Sequence, residues 1–123
     1  MVLPEWVGAV GPSGILSGLR RASIALMTRR AALLGQVTNP KLKGIINELY
    51  RIGAKIGNGG TADAVRYEQA TGILLSKEGH VLKALERRTQ LLTLWSNRGQ
   101  LSPAEKQIVK DLIMELQNAL SGL

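Results

Sequence analysis

Histidine is the side-chain type that exchanges a proton near neutral pH, and this chain has one, His80. Lys83 follows three residues later, which on a helix puts both on one face. A His–Lys pair suits phosphodiester cleavage. The histidine moves protons to or from a 2′-hydroxyl or a leaving oxygen, and the lysine offsets the developing negative charge. Asp63, Arg66 and Tyr67 stand at offsets of three and four and so also share a face. There Arg66 can clamp a phosphate while Asp63 orients it or serves as a base. The plainer alternative is an intrahelical ion pair worth about 0.3–0.5 kcal/mol. Glu68 falls on a different face from Asp63.

Just before these residues runs Gly57-Asn58-Gly59-Gly60-Thr61. Glycines at the entrance to a helix let the backbone turn free N–H groups toward an anion, and Thr61 adds a hydroxyl. The segment is not a Walker loop, because no Gly-Lys-Ser/Thr follows at the required spacing. No strand precedes it, so it is not a dinucleotide fingerprint either.

Helices must position these groups. Residues 1–14 are punctuated by Pro4, Gly8, Gly11, Pro12 and Gly14 and read as an irregular lead-in. They have no basic start and no unbroken apolar core, so they do not read as a signal peptide. Ser13 can cap a basic amphipathic helix running to about residue 34, with Arg20, Arg21, Arg29 and Arg30 along it. Asn39-Pro40 opens a second helix, expected to end near Gly53. A short helix is expected from Thr61 to about residue 70, closed by Thr71-Gly72. Ile73, Leu74 and Leu75 then suggest a short extended piece. Ser76 opens a helix to about residue 97, with Leu82, Leu85, Leu92 and Trp95 on its inner face. Ser102-Pro103-Ala104-Glu105 is a capping box, followed by the apolar stripe Ile108, Val109, Leu112, Ile113, Leu116 and Leu120. No alternating run is long enough for a sheet. The expected fold is all-α: about five helices in a single domain over 15–123, with a Gly-rich loop in the middle.

Composition narrows the function. At 123 residues and 45% hydrophobic content, the chain can build an ordinary core. No apolar run approaches a membrane span. The absence of cysteine removes disulfides, thiolate zinc sites and a cysteine nucleophile. Sixteen Lys and Arg against nine Asp and Glu give a net charge of +7 and a pI near 10.3. This excess points to a polyanionic partner. It lies in residues 1–100, while 101–123 carry a net −1 and read as scaffold. Trp6, Trp95, Tyr50 and Tyr67 are too few for a strand binder that stacks base after base. No cofactor and no metal site are expected. Asp63, Glu68 and Glu78 are the carboxylates that could hold a magnesium ion weakly.

The middle of the chain also resembles a known pattern. Its parts are Tyr50-Arg51-x-Gly53, Gly57-Asn58-Gly59-Gly60-Thr61-Ala62-Asp63-Ala64, Arg66-x-Glu68, Thr71-Gly72 and Gly79-His80-x-x-Lys83. With the closing Leu101-Ser102-Pro103 helix, they resemble C-terminal toxin regions of bacterial polymorphic toxins. These are of the contact-dependent inhibition and filamentous-haemagglutinin type, with related Rhs-like tails. The likeness spans residues 45–120. It implies a domain exported as the tail of a larger protein and acting in the cytoplasm of a target bacterium. A dedicated immunity protein would neutralise it, and the +7 field suits an acidic one. Many such tails are nucleases that cut tRNA or other RNA. One departure is local: such tails often carry a second glycine and a basic residue just before the histidine, where this chain has Leu75-Ser76-Lys77-Glu78-Gly79.

Together these readings favour a metal-independent ribonuclease. His80 is its general acid or base, Arg66 and Lys83 hold the phosphate, and Asp63 positions His80 or the substrate. Tyr50, Arg51, Gly59, Gly60, Thr61, Tyr67 and Glu68 are the expected substrate-binding residues. The alternatives are a non-enzymatic basic helical module that binds nucleic acid or protein, and a membrane-active toxin. The charges within residues 77–88 make stable insertion costly.

Overall fold

The structure, a computed structural model, describes residues 28–51 and 56–122. The lead-in, Arg20, Arg21 and most of the expected first helix lie outside the described residues, as does Gly53. Among the described residues the chain forms five α-helices and no strand. They are α1 (Thr28–Gly35), α2 (Pro40–Leu49), α3 (Thr61–Thr71), α4 (Val81–Ser96) and α5 (Pro103–Leu120). A 3-10 turn, Arg98–Gln100, joins α4 to α5.

The caps follow from local chemistry. The Asn39 side chain accepts from the N–H groups of Lys41 and Leu42, and Pro40 takes the first helical position. At α5, Ser102 and Glu105 complete the capping box in both directions. Glu105 also accepts from the backbone N–H groups of Thr38 (3.0 Å) and Asn39 (2.8 Å). One buried carboxylate thus ties the start of α2 to the start of α5. The N–H groups of Ser102 and Asn39 hold its pKa down to about 2.

α5 is the spine, with α3 and α4 packed along it; α2 lies on α4 and α1 on α2. Leu42 and Ile46, Val65, Leu91, and Val109, Leu112, Ile113 and Leu116 meet in one fully buried core. Burying each of these large side chains stabilises the fold by about 1.5–3 kcal/mol before the entropy of ordering it is counted.

Three expectations need correcting. First, α2 stops at Leu49. Tyr50 turns to extended backbone and forms an antiparallel bridge with Gly60, which draws the glycine-rich loop back against the end of α2. Second, residues 73–75 form no strand, and α4 begins at Val81 rather than Ser76. The Glu68 carboxylate accepts from the N–H groups of Leu75 (2.8 Å) and His80 (2.7 Å) and so fixes the connection as a loop. Gly79, at φ +72, makes the last bend before the helix. Third, Leu82 does not face the core: it is 61% exposed, whereas Ala84, Leu91, Leu92 and Leu94 are buried. Helical spacing sets Leu82 about 160–180° around α4 from the fully buried Ala84 and Leu91, on the outer side. Leu85 and Trp95 pack on the core's edge.

Candidate functional site

α3 separates two polar clusters, because Asp63 and Arg66 leave one side of the helix and Thr61, Ala64 and Glu68 the other. On the first side, Asp63 accepts from Arg66 (2.6 Å) and from the N–H of Asn58 (2.9 Å). Arg66 goes on to the Glu115 carbonyl (3.2 Å) and the Asn118 side chain (3.1 Å) on α5. Glu115 gathers Arg29 (2.8 Å), the Tyr50 hydroxyl (3.3 Å) and the Asn58 amide (3.2 Å). Arg29 also donates to Tyr50 Oη at 2.8 Å, and its guanidinium lies over the Tyr50 ring. Burial, with Glu115 adding to it, raises the Tyr50 phenol's pKa and keeps it neutral. Asp63, Arg66 and Tyr50 therefore join the glycine-rich loop to α5, and none of them touches His80.

The loop itself is held from within. The N–H of Asn58 goes to Asp63, that of Gly59 to the Ile56 carbonyl and that of Gly60 to the Asn58 side chain. The Thr61 hydroxyl donates to the buried Leu49 carbonyl. The expected cradle of free N–H groups at Gly59 and Gly60 is thus absent, and Thr61 has no hydroxyl to offer an anion. Gly57 has φ +55, and a β-carbon there would collide with the Asp63 carboxylate. These glycines serve close packing instead.

On the second side lies a cleft of about 350 Å³. Arg51, Gly59, Gly60, Thr61, His80 and Lys83 line it, so the structure gathers six of the residues expected at the site. Glu68 sits beneath, its side chain only 4% exposed, with Oε2 2.9 Å from His80 Nδ1. Burial pushes the Glu68 carboxyl up. The His80 ring and the N–H groups of Leu75 and His80 outweigh it, so Glu68 ionises below its ordinary value. An ionised carboxylate can only accept, so His80 Nδ1 carries the proton and Nε2 is the ring nitrogen left for chemistry. Glu68, rather than Asp63, is the group that orients His80. The sequence did not connect Glu68 with His80, although a carboxylate on the face of α3 opposite Asp63 was a usable signal.

Lys83 stands one helical turn from His80 at the start of α4. Burial lowers the pKa of its ammonium, and the positive charge of Arg51 lowers it further. Tyr67 does not line the cleft. Asp63 and Glu68 are committed to separate clusters. Among the described residues no group of three or more His, Cys, Asp or Glu side chains could hold a metal ion. No helix there is long and apolar enough to cross a membrane. Comparison with protein-family models, with curated proteins and with solved structures finds no match to the chain.

Proposed function

We propose that the chain is an interbacterial toxin domain whose His80 cleft cuts RNA without a resident metal. The observation that carries this reading is the buried Glu68 carboxylate fixing the His80 tautomer beside Lys83 and Arg51. In this arrangement Nε2 removes the proton of a 2′-hydroxyl. The 2′-oxygen attacks the adjacent phosphorus, the bond from phosphorus to the 5′-oxygen breaks, and the 5′-oxygen leaves with a proton from solvent. Lys83 and Arg51 offset the charge that builds on the phosphoryl oxygens. The products are a 2′,3′-cyclic phosphate and a 5′-hydroxyl.

The net charge of +7 and the likeness to polymorphic-toxin tails support the same reading. Under it the domain is exported as the tail of a larger protein and acts in the target cytoplasm. An acidic immunity protein is its partner. Ile73 and Leu74 expose apolar side chains next in sequence to Leu75, which lines the cleft, and this suits a protein that covers the site. A tight immunity partner with no acidic face would count against the electrostatic part of this proposal.

The test is incubation with total bacterial RNA, plasmid DNA and an RNA bearing 2′-deoxy sugars, each with and without EDTA. RNA fragments ending in cyclic phosphate are expected in both conditions, with the deoxy substrates intact. Cleavage of the deoxy substrates, or loss of RNA cleavage in EDTA, would overturn the proposed chemistry.

A further inference from the structure

A second and larger hollow begins one turn further along α4. It has a volume of about 670 Å³ and follows the seam between α2 and α4. Lys41, Gly44 and the exposed Glu48 line it from α2, Arg87, Gln90 and Thr93 from α4, and Asn97 from just past the end of α4. Lys83 faces the His80 cleft and Arg87, four residues on, faces the groove, so the two hollows follow each other along one helix. Between Lys83 and Asn97 the seam runs about 21 Å. Within the groove Arg87 reaches across the seam to Glu48 of α2 in a loose 3.8 Å contact.

We infer that this groove holds the nucleotides flanking the scissile bond of a single-stranded RNA. The inference rests on the ribonuclease reading and extends that site. The lining chemistry suits a polar, charged strand. Lys41 matches a phosphate. Arg87 donates to Gln90 Oε1 (2.8 Å) and holds Glu48 only at 3.8 Å, so it can exchange that loose contact for a second phosphate. The Gln90 amide N–H groups and the side chains of Thr93 and Asn97 offer polar atoms to base edges. The hydrogen bonds the last two make are to carbonyls of their own helix, which leaves the remaining polar atoms of their side chains for a ligand. No aromatic side chain lines the groove, so recognition runs through hydrogen bonds and charge rather than stacking.

Gly44 carries the argument furthest. It lies inside α2, where alanine would be the better helix former. A β-carbon there would meet nothing within 4 Å, so packing does not require glycine. What the missing side chain does provide is an unobstructed wall facing α4.

The test compares Gly44→Leu with Gly35→Leu, a control at the end of α1 where a β-carbon is equally unhindered and which does not line the groove. Binding of a fluorescein-labelled octauridylate is followed by anisotropy in a His80→Ala background. Cleavage of the octamer and of a dinucleotide is followed in the His80 background. The parent binds the octamer and prefers it to the dinucleotide. Gly44→Leu weakens octamer binding by about tenfold and removes the length preference, with no loss of melting temperature. Gly35→Leu keeps both properties. Octamer binding and length preference unchanged by Gly44→Leu, or no octamer binding by the parent, would overturn the groove. If the parent cleaves nothing but Gly44→Leu still abolishes octamer binding, the ribonuclease reading falls and the strand site stands. Displacement of the octamer by peptides and not by unlabelled RNA would mark the groove as a protein site and overturn the inference.

Discussion

On the α5 side of α3, Asp63 and Arg66 meet Asn58, Glu115 and Asn118. On the α4 side, Glu68 meets His80, while Lys83 and Arg51 face a cleft. Both clusters pair carboxylates with bases, and they lie on one short helix. In the first, nearly every charged group finds a partner inside the fold, and the result is a clamp on the glycine-rich loop. In the second, the buried carboxylate satisfies one side of a histidine and leaves the other side, with two cations, toward the cleft. The difference shows that residue type alone does not tell the two clusters apart. What separates them is whether polar capacity remains unspent at a surface a ligand can reach.

The largest expected effect on stability falls on the clamp. Glu115→Ala removes the shared acceptor of Arg29, the Tyr50 hydroxyl and the Asn58 amide, while the Arg29–Tyr50 bond remains, and should cost about 2–3 kcal/mol of stability. Thermal and denaturant melts measure this. The fraction that stays folded should still cleave RNA. A variant that melts normally but no longer cleaves would erase the distinction between the clusters.

The next effect sharpens the contrast within one residue class. Lys83→Met should lower cleavage about 100-fold and leave melting nearly unchanged. Arg66→Met should lower the melting temperature and spare kcat. Exchanged outcomes would place the phosphate site on the wrong side of α3.

The smallest effect concerns a carboxylate that belongs to neither cluster. Glu105 titrates at about 2 in the fold against an ordinary value near 4.5. Between these values the unfolded chain binds the extra proton, so stability is complete above about pH 4.5 and declines as the pH falls toward 2. Glu105→Gln should flatten that decline and lower stability at neutral pH by about 1–2 kcal/mol. Urea melts from pH 2.5 to 7 test it. An unchanged acid slope would remove Glu105 as its source.

The sequence shows some of this plainly and hides the rest for physical reasons. Asn39-Pro40 and Ser102-Pro103-Ala104-Glu105 could be read as helix starts because each cap is completed within four residues. The bonds from Glu105 to Thr38 and Asn39 could not, because they cross more than sixty positions. His80 and Lys83 were visible as a pair at helical spacing. Glu68 was not tied to them, since its bond to His80 spans a loop whose course that same bond helps to set. The three-residue spacing of Asp63 and Arg66 makes them neighbours, but their destination depends on α5, nearly fifty residues away. Leu82 joins an apolar stripe only if Leu85 and Leu92 set the inner face; the buried face is centred instead on Ala84 and Leu91, about half a turn away from it.

The most direct measurement is the rate at which His80→Ala cleaves a labelled RNA, taken beside its far-ultraviolet circular dichroism and melting curve. The expected result is a fall of about 1,000-fold with the helical signal intact. A folded His80→Ala protein that cleaves at the parent rate would contradict the assignment of chemistry to the α4 side of α3.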